Sequence, residues 1–212
     1  MAQPLVQPGY GPTLPELVAG WPRPARIAAR AAGALLVCAI AGWVLFGRGD
    51  DLTRVIEHDP VDFNLGYRAP LERVTPRAGE IVRLQAPGQE LVVRPLALPA
   101  YRGDVSAFLP LYASSVGARL ERDRPGLLTR EEGRININKV VGYEVQYQAR
   151  GAGGRKRYGR LVLLPQDPRS RTGVQIQLEA DASSAIANPT VVGQIGALKT
   201  ALRSFRFGTD PP

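Results

Sequence analysis

The sixteen residues from Ala31 to Phe46, AAGALLVCAIAGWVLF, carry no charge. With Ile27 to Arg30 in front, the run reaches twenty residues. As a helix rising about 1.5 Å per residue, it matches the roughly 30 Å hydrocarbon core of a bilayer. It is apolar all round rather than striped, which favours lipid over a half-buried surface helix. Arg30 has a stem long enough to return its guanidinium to the headgroups, and Trp43 stands near the other end as an interfacial aromatic does. A cleaved signal peptide is the rival reading, but the run is long for one and no small-x-small site precedes GRGDD. A lipoprotein site at Cys38 fails as well, because Val37 rather than a small residue precedes the thiol. Cys38 is the only cysteine. It is expected to be a buried small apolar residue, and alone it supports neither an intramolecular disulfide nor a cysteine metal cluster.

Arg23, Arg26 and Arg30 precede the run, whereas Arg48 is followed by Asp50 and Asp51. This excess of positive charge marks the N-terminus as cytoplasmic and puts the larger C-terminal part outside. The organisation expected is a disordered, Pro-rich cytoplasmic tail over 1–25, a transmembrane helix over 26–47, a linker over 48–60, an exterior domain over 61–208 and a short tail over 209–212. Six prolines and no periodicity give the first segment its character. The expected location is therefore the cell membrane, with the C-terminal domain extracytoplasmic.

Beyond the linker, Phe63, Leu65 and Tyr67 alternate with polar or small residues, the period of a half-buried strand. EIVRLQ and ELVVRPL flank APGQ, where Pro87 and Gly88 suit the centre of a type II turn. From Asp104, a natural N-cap, Val105, Phe108, Leu109, Tyr112, Val116 and Leu120 recur at helical spacing, with Pro110 as the one disturbance. GLLTR, a turn over 131–134, and ININKVVGYEVQYQAR follow, with Tyr143, Val145 and Tyr147 on one side. RYGRLVLLP and GVQIQLEA complete the strands, with Gln175, Gln177 and Glu179 opposite to Val174, Ile176 and Leu178. Asn188 and Pro189 open a final helix carrying Val192, Ile195, Leu198, Leu202 and Phe205 on one stripe. This order predicts an α+β domain, an antiparallel sheet with helices packed on it.

With FNLGYRAP opening, GYEVQYQARGAGGRKRYGRLVLL in the middle and LKTALRSFRF closing, the chain resembles the PsbP-like α/β/α sandwich domains. These include photosystem accessory subunits and LpqN-type envelope proteins. The resemblance covers about residues 58 to 208 and rests on layout. It implies a non-catalytic interaction or accessory module, here with a membrane span in place of a lipidated cysteine.

Chemical motifs are scarce. His58, the only histidine, falls in the expected linker, away from any scaffold that could orient it as a base. No nucleophile elbow, P-loop or histidine-rich zinc pattern occurs, and neither a cofactor nor a metal is expected. Glu144 and Glu179 lie on different strands. If one of them faced another acid across a cleft, a carboxylate-dependent envelope hydrolase would be open. A lipophilic-ligand carrier is the third class, requiring an apolar cavity between helix and sheet. Tyr143, Tyr147 and Tyr158 suit ordinary packing better than a ligand-lined face.

The formal charge of +8 includes 24 arginines and only 3 lysines, a bias that GC-rich coding produces without any function. Its location is more informative. Residues 150–171 hold seven basic residues and one acid, five of them in QARGAGGRKRYGR: Arg150, Arg155, Lys156, Arg157 and Arg160. Gly151 to Gly154 are expected to form a hairpin turn. Nucleic acid is the usual ligand of such a cluster, but the orientation replaces it with an anionic envelope polymer, lipid headgroups or a protein partner outside the membrane. The function expected is a single-pass, membrane-anchored exterior binding or scaffolding module of the bacterial cell envelope.

Overall fold

The computed structural model of the chain describes residue 20, residues 22–46 and residues 52–209. The chain divides into two compact units, 1–50 and 51–212. The first contains helix α1, Arg23–Phe46, over the stretch expected to span a membrane. Among the described residues, however, no helix is long and apolar enough to cross one, so the expected span gains no support here. The side chains of Arg30 and Trp43, its anticipated end markers, lie outside the described residues, as does most of the expected 1–25 tail. Cys38 is exposed on α1 rather than buried.

The second unit is built on seven strands: β3 (Glu72–Val74), β4 (Val82–Ala86), β5 (Gln89–Ala97), β6 (Leu128–Ile137), β7 (Val140–Arg150), β8 (Lys156–Pro165) and β9 (Thr172–Asp181). They lie in the order β3-β4-β5-β9-β8-β7-β6, each antiparallel to its neighbours. A smaller antiparallel sheet joins β1 (Thr53–Glu57), β2 (Phe63–Tyr67) and β10 (Arg206–Phe207) in the order β1-β2-β10. The α+β class expected from the sequence is what forms.

Helix α2, Val105–Asp123, covers one face of the large sheet. The Asp104 side chain caps it, accepting from the Ser106 amide at 2.7 Å, and Pro110 is carried inside the helix. Leu109, Ala113 and Val116 pack on Val145, Tyr147, Leu161 and Leu163. Helix α3, Gly196–Ser204, covers the opposite face together with β2, through Phe63, Leu65, Leu198, Leu202 and Phe205. Strand β8 is consequently buried on both sides from Tyr158 to Pro165. Its near-continuous apolar run, RLVLLP, is what a strand covered on both faces requires.

Three local expectations are corrected. Strand β1 occupies part of the expected linker. Its TRVIE is short and mostly polar, with only Val55 buried, so it gives little alternation to read. The turn expected over 131–134 is part of β6, with a bulge between Thr129 and Glu131. The chain turns instead at Asn138 and Lys139, whose φ values of 48° and 72° are those of a type I′ hairpin. There the Asn138 side-chain amide donates to the carbonyls of Arg203 (2.7 Å) and Phe205 (2.6 Å), tying the turn to the end of α3. The expected final helix is broken into a 3₁₀ turn, Pro189–Val191, and α3. Gly193 and Gly196, both at positive φ, separate the two, while Asn188 caps the first as anticipated, accepting from the Val191 amide.

Candidate functional site

Strand alternation divides the basic stretch. Residues paired across β7, β8 and β9 share a face, so Arg157, opposite Asp181, points to the α2 side, and Arg160, opposite Gln146 and Leu178, points to the α3 side. Arg160 is 3% exposed and meets Glu144 with Nε at 2.9 Å and Nη2 at 3.2 Å. Arg157 meets Glu179 with Nε at 3.1 Å and lies 3.8 Å from both Glu90 and Asp181. These two arginines are internal partners and do not belong to an exposed cluster. Arg150, Arg155 and Lys156 are exposed, and among the described residues they form no ion pair. Arg150 stands directly opposite Lys156 across the hairpin, and the Lys156 ammonium lies 4.9 Å from the centre of the Tyr158 ring. Glycine makes the turn between them: Gly153 and Gly154 have φ of 71° and 73°, as the sequence predicts.

The α2 face holds a second constellation, beside the end of α2. Tyr147 on β7 lies across Gly159 on β8. A Cβ at Gly159 would collide with the Tyr147 ring at its Cζ, so glycine is what lets the phenol cross a whole strand. Its hydroxyl then donates to Glu179 Oε1 on β9 at 2.7 Å and accepts from the Gln177 amide at 2.8 Å. Arg124, the C-cap residue of α2, places its guanidinium on the same carboxylate oxygen. Outward on the sheet, Glu90 pairs with Arg83, Glu80 with both Arg83 (2.9 Å) and Arg94 (2.8 Å), and Arg94 with Gln177 (2.6 Å). A cavity of about 70 Å³ remains among Arg77, Arg83, Arg94, Arg124, Glu90 and Glu179.

Burial opposes the charge on Glu179, but Arg124, the Tyr147 hydroxyl and Arg157 outweigh it and hold its carboxyl below the ordinary range. Glu80 is also held low: burial opposes its charge, and the Arg77 amide, Arg83 and Arg94 overcome that. Burial, reinforced by the neighbouring Glu179 charge, pushes the Tyr147 phenol well above its usual value, which fixes it as a neutral donor.

These positions bear on the hydrolase reading. Glu144 and Glu179 lie on opposite faces of the sheet, so they cannot act as a pair. Glu179 does stand opposite an acid, Glu90, but side by side on adjacent strands and not across a cleft. Both carboxylates are engaged by guanidinium groups, and Glu179, whose carboxyl is held below the ordinary range, is a poor general acid. His58 pairs with Asp62 at 3.0 Å, with both side chains largely exposed. Tyr158 faces away from Tyr143 and Tyr147, so the three tyrosines form no common surface.

The sequence singled out Glu179 and Tyr147 but missed Glu80, Arg83, Glu90, Arg94 and Arg124 as their surroundings. They come from a loop, two strands and the end of a helix, so no local pattern groups them until the strand order and the course of α2 are known.

Fold and site together define an antiparallel α+β domain with an internal ion network and an exposed basic hairpin end. No protein-family model and no curated protein matches the chain. Among solved structures, it is similar to cyanobacterial PsbP (CyanoP) from Synechocystis sp. PCC 6803, with 13% identity over 74% of this chain and 93% of that one and a TM-score of 0.46. It is also similar to LpqN, involved in cell envelope biogenesis of Mycobacterium tuberculosis, with 10% identity over 76% and 94% and a TM-score of 0.48. A third, PA94 from Pseudomonas aeruginosa, a putative regulator of unknown function, gives 15% identity over 61% and 82% and a TM-score of 0.35. CyanoP and LpqN are of the two kinds that the sequence resembles. At these scores the likeness says nothing of function, and the α+β class rests on the strand pairing itself.

The lowered Glu179 value sets a pH dependence. Ionised Glu179 stabilises the fold at neutral pH, and that contribution is lost as pH falls from the unfolded value near 4.5 through the lower folded value. The urea midpoint of the wild type should fall over that window. Glu179→Gln should start lower at pH 7 and change less on acidification. A Gln variant as acid-sensitive as the wild type contradicts this role.

Proposed function

We propose that the chain is a non-catalytic binding or scaffolding module of a cell envelope, with its α+β domain outside the membrane and docked on an anionic surface. The observation that carries the reading is the exposed group of Arg150, Arg155 and Lys156. These are three cations at one hairpin end, with no ion pair among the described residues, while the other two basic residues of the stretch, half-buried Arg157 and buried Arg160, are paired with carboxylates. A fixed cluster of like charge attracts phosphate-rich polymer or anionic headgroups in a salt-dependent way. The internal arginines contribute nothing to it, because their fields are spent on Glu144, Glu179 and Glu90.

Docking is tested by co-sedimentation of the full chain, in mild detergent, with phosphate-rich cell-wall polymer. Binding should be strong at low salt and fall at high salt, and the Arg150, Arg155 and Lys156 to Ser variant should lose most of it. Wild-type and triple-variant protein sedimenting alike would sink the proposal.

The tether is the second part of the proposal. Its support is in the sequence alone: the uncharged run Ala31 to Phe46 and the arginines ahead of it. After alkaline carbonate washing of membranes, the full chain should stay in the pellet and a chain lacking 26–47 should be released. Release of the full chain contradicts the tether and leaves the docking surface to be judged by its own assay.

A further inference from the structure

On the α3 face, a pocket of about 410 Å³ opens between β6, the 193–196 segment and α3. That volume lies within the range of small-molecule sites. Arg160 forms part of its lining. The inner edge of that guanidinium is engaged by Glu144, which is itself held by the Gln146 amide at 2.8 Å, with Gln146 in turn accepting from the Thr190 hydroxyl at 3.0 Å. The buried ion pair is therefore rigidly braced from behind.

The Nη1–Nη2 edge is covered differently. With its amide turned so that the oxygen faces the guanidinium, Gln194 accepts from Nη1 at 3.1 Å and Nη2 at 3.3 Å. Gln194 is an exposed residue in the glycine-flanked segment between Gly193 and Gly196, so it can swing aside without moving the core. A Cβ at Gly193 would meet Leu202 at 3.1 Å and come within 3.7 Å of Arg160 Nη1. Gly193 is required there by its positive φ of 76°. Ile135, Ile137 and Leu202 give the pocket apolar walls, and Arg203 adds an exposed cation to its lining.

We propose that this pocket binds a small carboxylate with an aliphatic body, its carboxylate displacing the Gln194 amide from the Nη1–Nη2 edge of Arg160. A carboxylate on a guanidinium edge makes two charge-assisted hydrogen bonds, which are stronger than the single neutral oxygen that it replaces. The body lies against Ile135, Ile137 and Leu202. Inorganic phosphate satisfies the charge but leaves the apolar walls unused, and an alcohol does the reverse. This site is on the opposite face from the α2-side ion network, and its ligand is distinct from the surface proposed for the hairpin end.

The test is calorimetric titration of the full chain, in mild detergent, with hexanoate, hexan-1-ol and inorganic phosphate. Hexanoate should bind saturably and more tightly than either of the others. Gln194→Glu ties a carboxylate of the chain to the same edge and keeps Arg160 paired, so it should fold normally and weaken hexanoate by about tenfold or more. Gln194→Ala should bind hexanoate at least as tightly as the wild type. Absence of saturable hexanoate binding, equal binding of hexan-1-ol, saturable binding of phosphate alone, or equal hexanoate affinity in wild type and Gln194→Glu would each overturn the proposal.

Discussion

The phenol of Tyr147, laid across Gly159 to reach Glu179, is the interaction on which the α2 side of the domain depends. It links three adjacent strands, β7, β8 and β9, through one side chain. It also sets the carboxylate on which α2 ends, because Arg124 leaves the helix as its C-cap and binds the same oxygen. A charge buried this far is tolerated only when partners replace the water that it gives up. Glu179 has Arg124, Arg157, Tyr147 and Gln177, and its lowered carboxyl value is the electrostatic trace of that company.

The same alternation that builds this site separates structure from surface in the basic stretch. Arg157 and Arg160 lie three positions apart on β8, an odd step that sends them to opposite faces of the sheet. One completes the α2-side network, and the other braces Glu144 beneath the pocket beside α3. The cations at the hairpin end have no such partners among the described residues. One run of thirteen residues thereby supplies two internal ion pairs and an exposed charged end, and the roles follow from position along the strand, not from residue type.

Much of this fold is legible in the sequence where local chemistry decides the outcome. Asp104 capping α2, Pro87 and Gly88 between β4 and β5, the alternation of β9 and the glycines after Arg150 are all short-range signals, and all form as expected. What is missed depends on distant partners. Strand β1 exists because β2 is there to pair with it. The break before α3 comes from Gly193 and Gly196 inside an otherwise helical stripe, and Asn138–Lys139 carries a turn where the acidic 131–134 segment looked the better candidate. The five-residue basic site appears uniform in sequence, because the acids that claim Arg157 and Arg160 sit as far away as Glu90 and Glu144.

The division of the basic stretch into internal and exposed cations is most directly tested by comparing the urea unfolding of Arg157→Ser with that of Arg155→Ser at neutral pH and moderate salt. Arg157→Ser leaves Glu179 short of a partner and should lower the unfolding free energy by about 1–3 kcal/mol, while Arg155→Ser should leave the midpoint where it is in the wild type. Equal effects of the two substitutions would contradict the account.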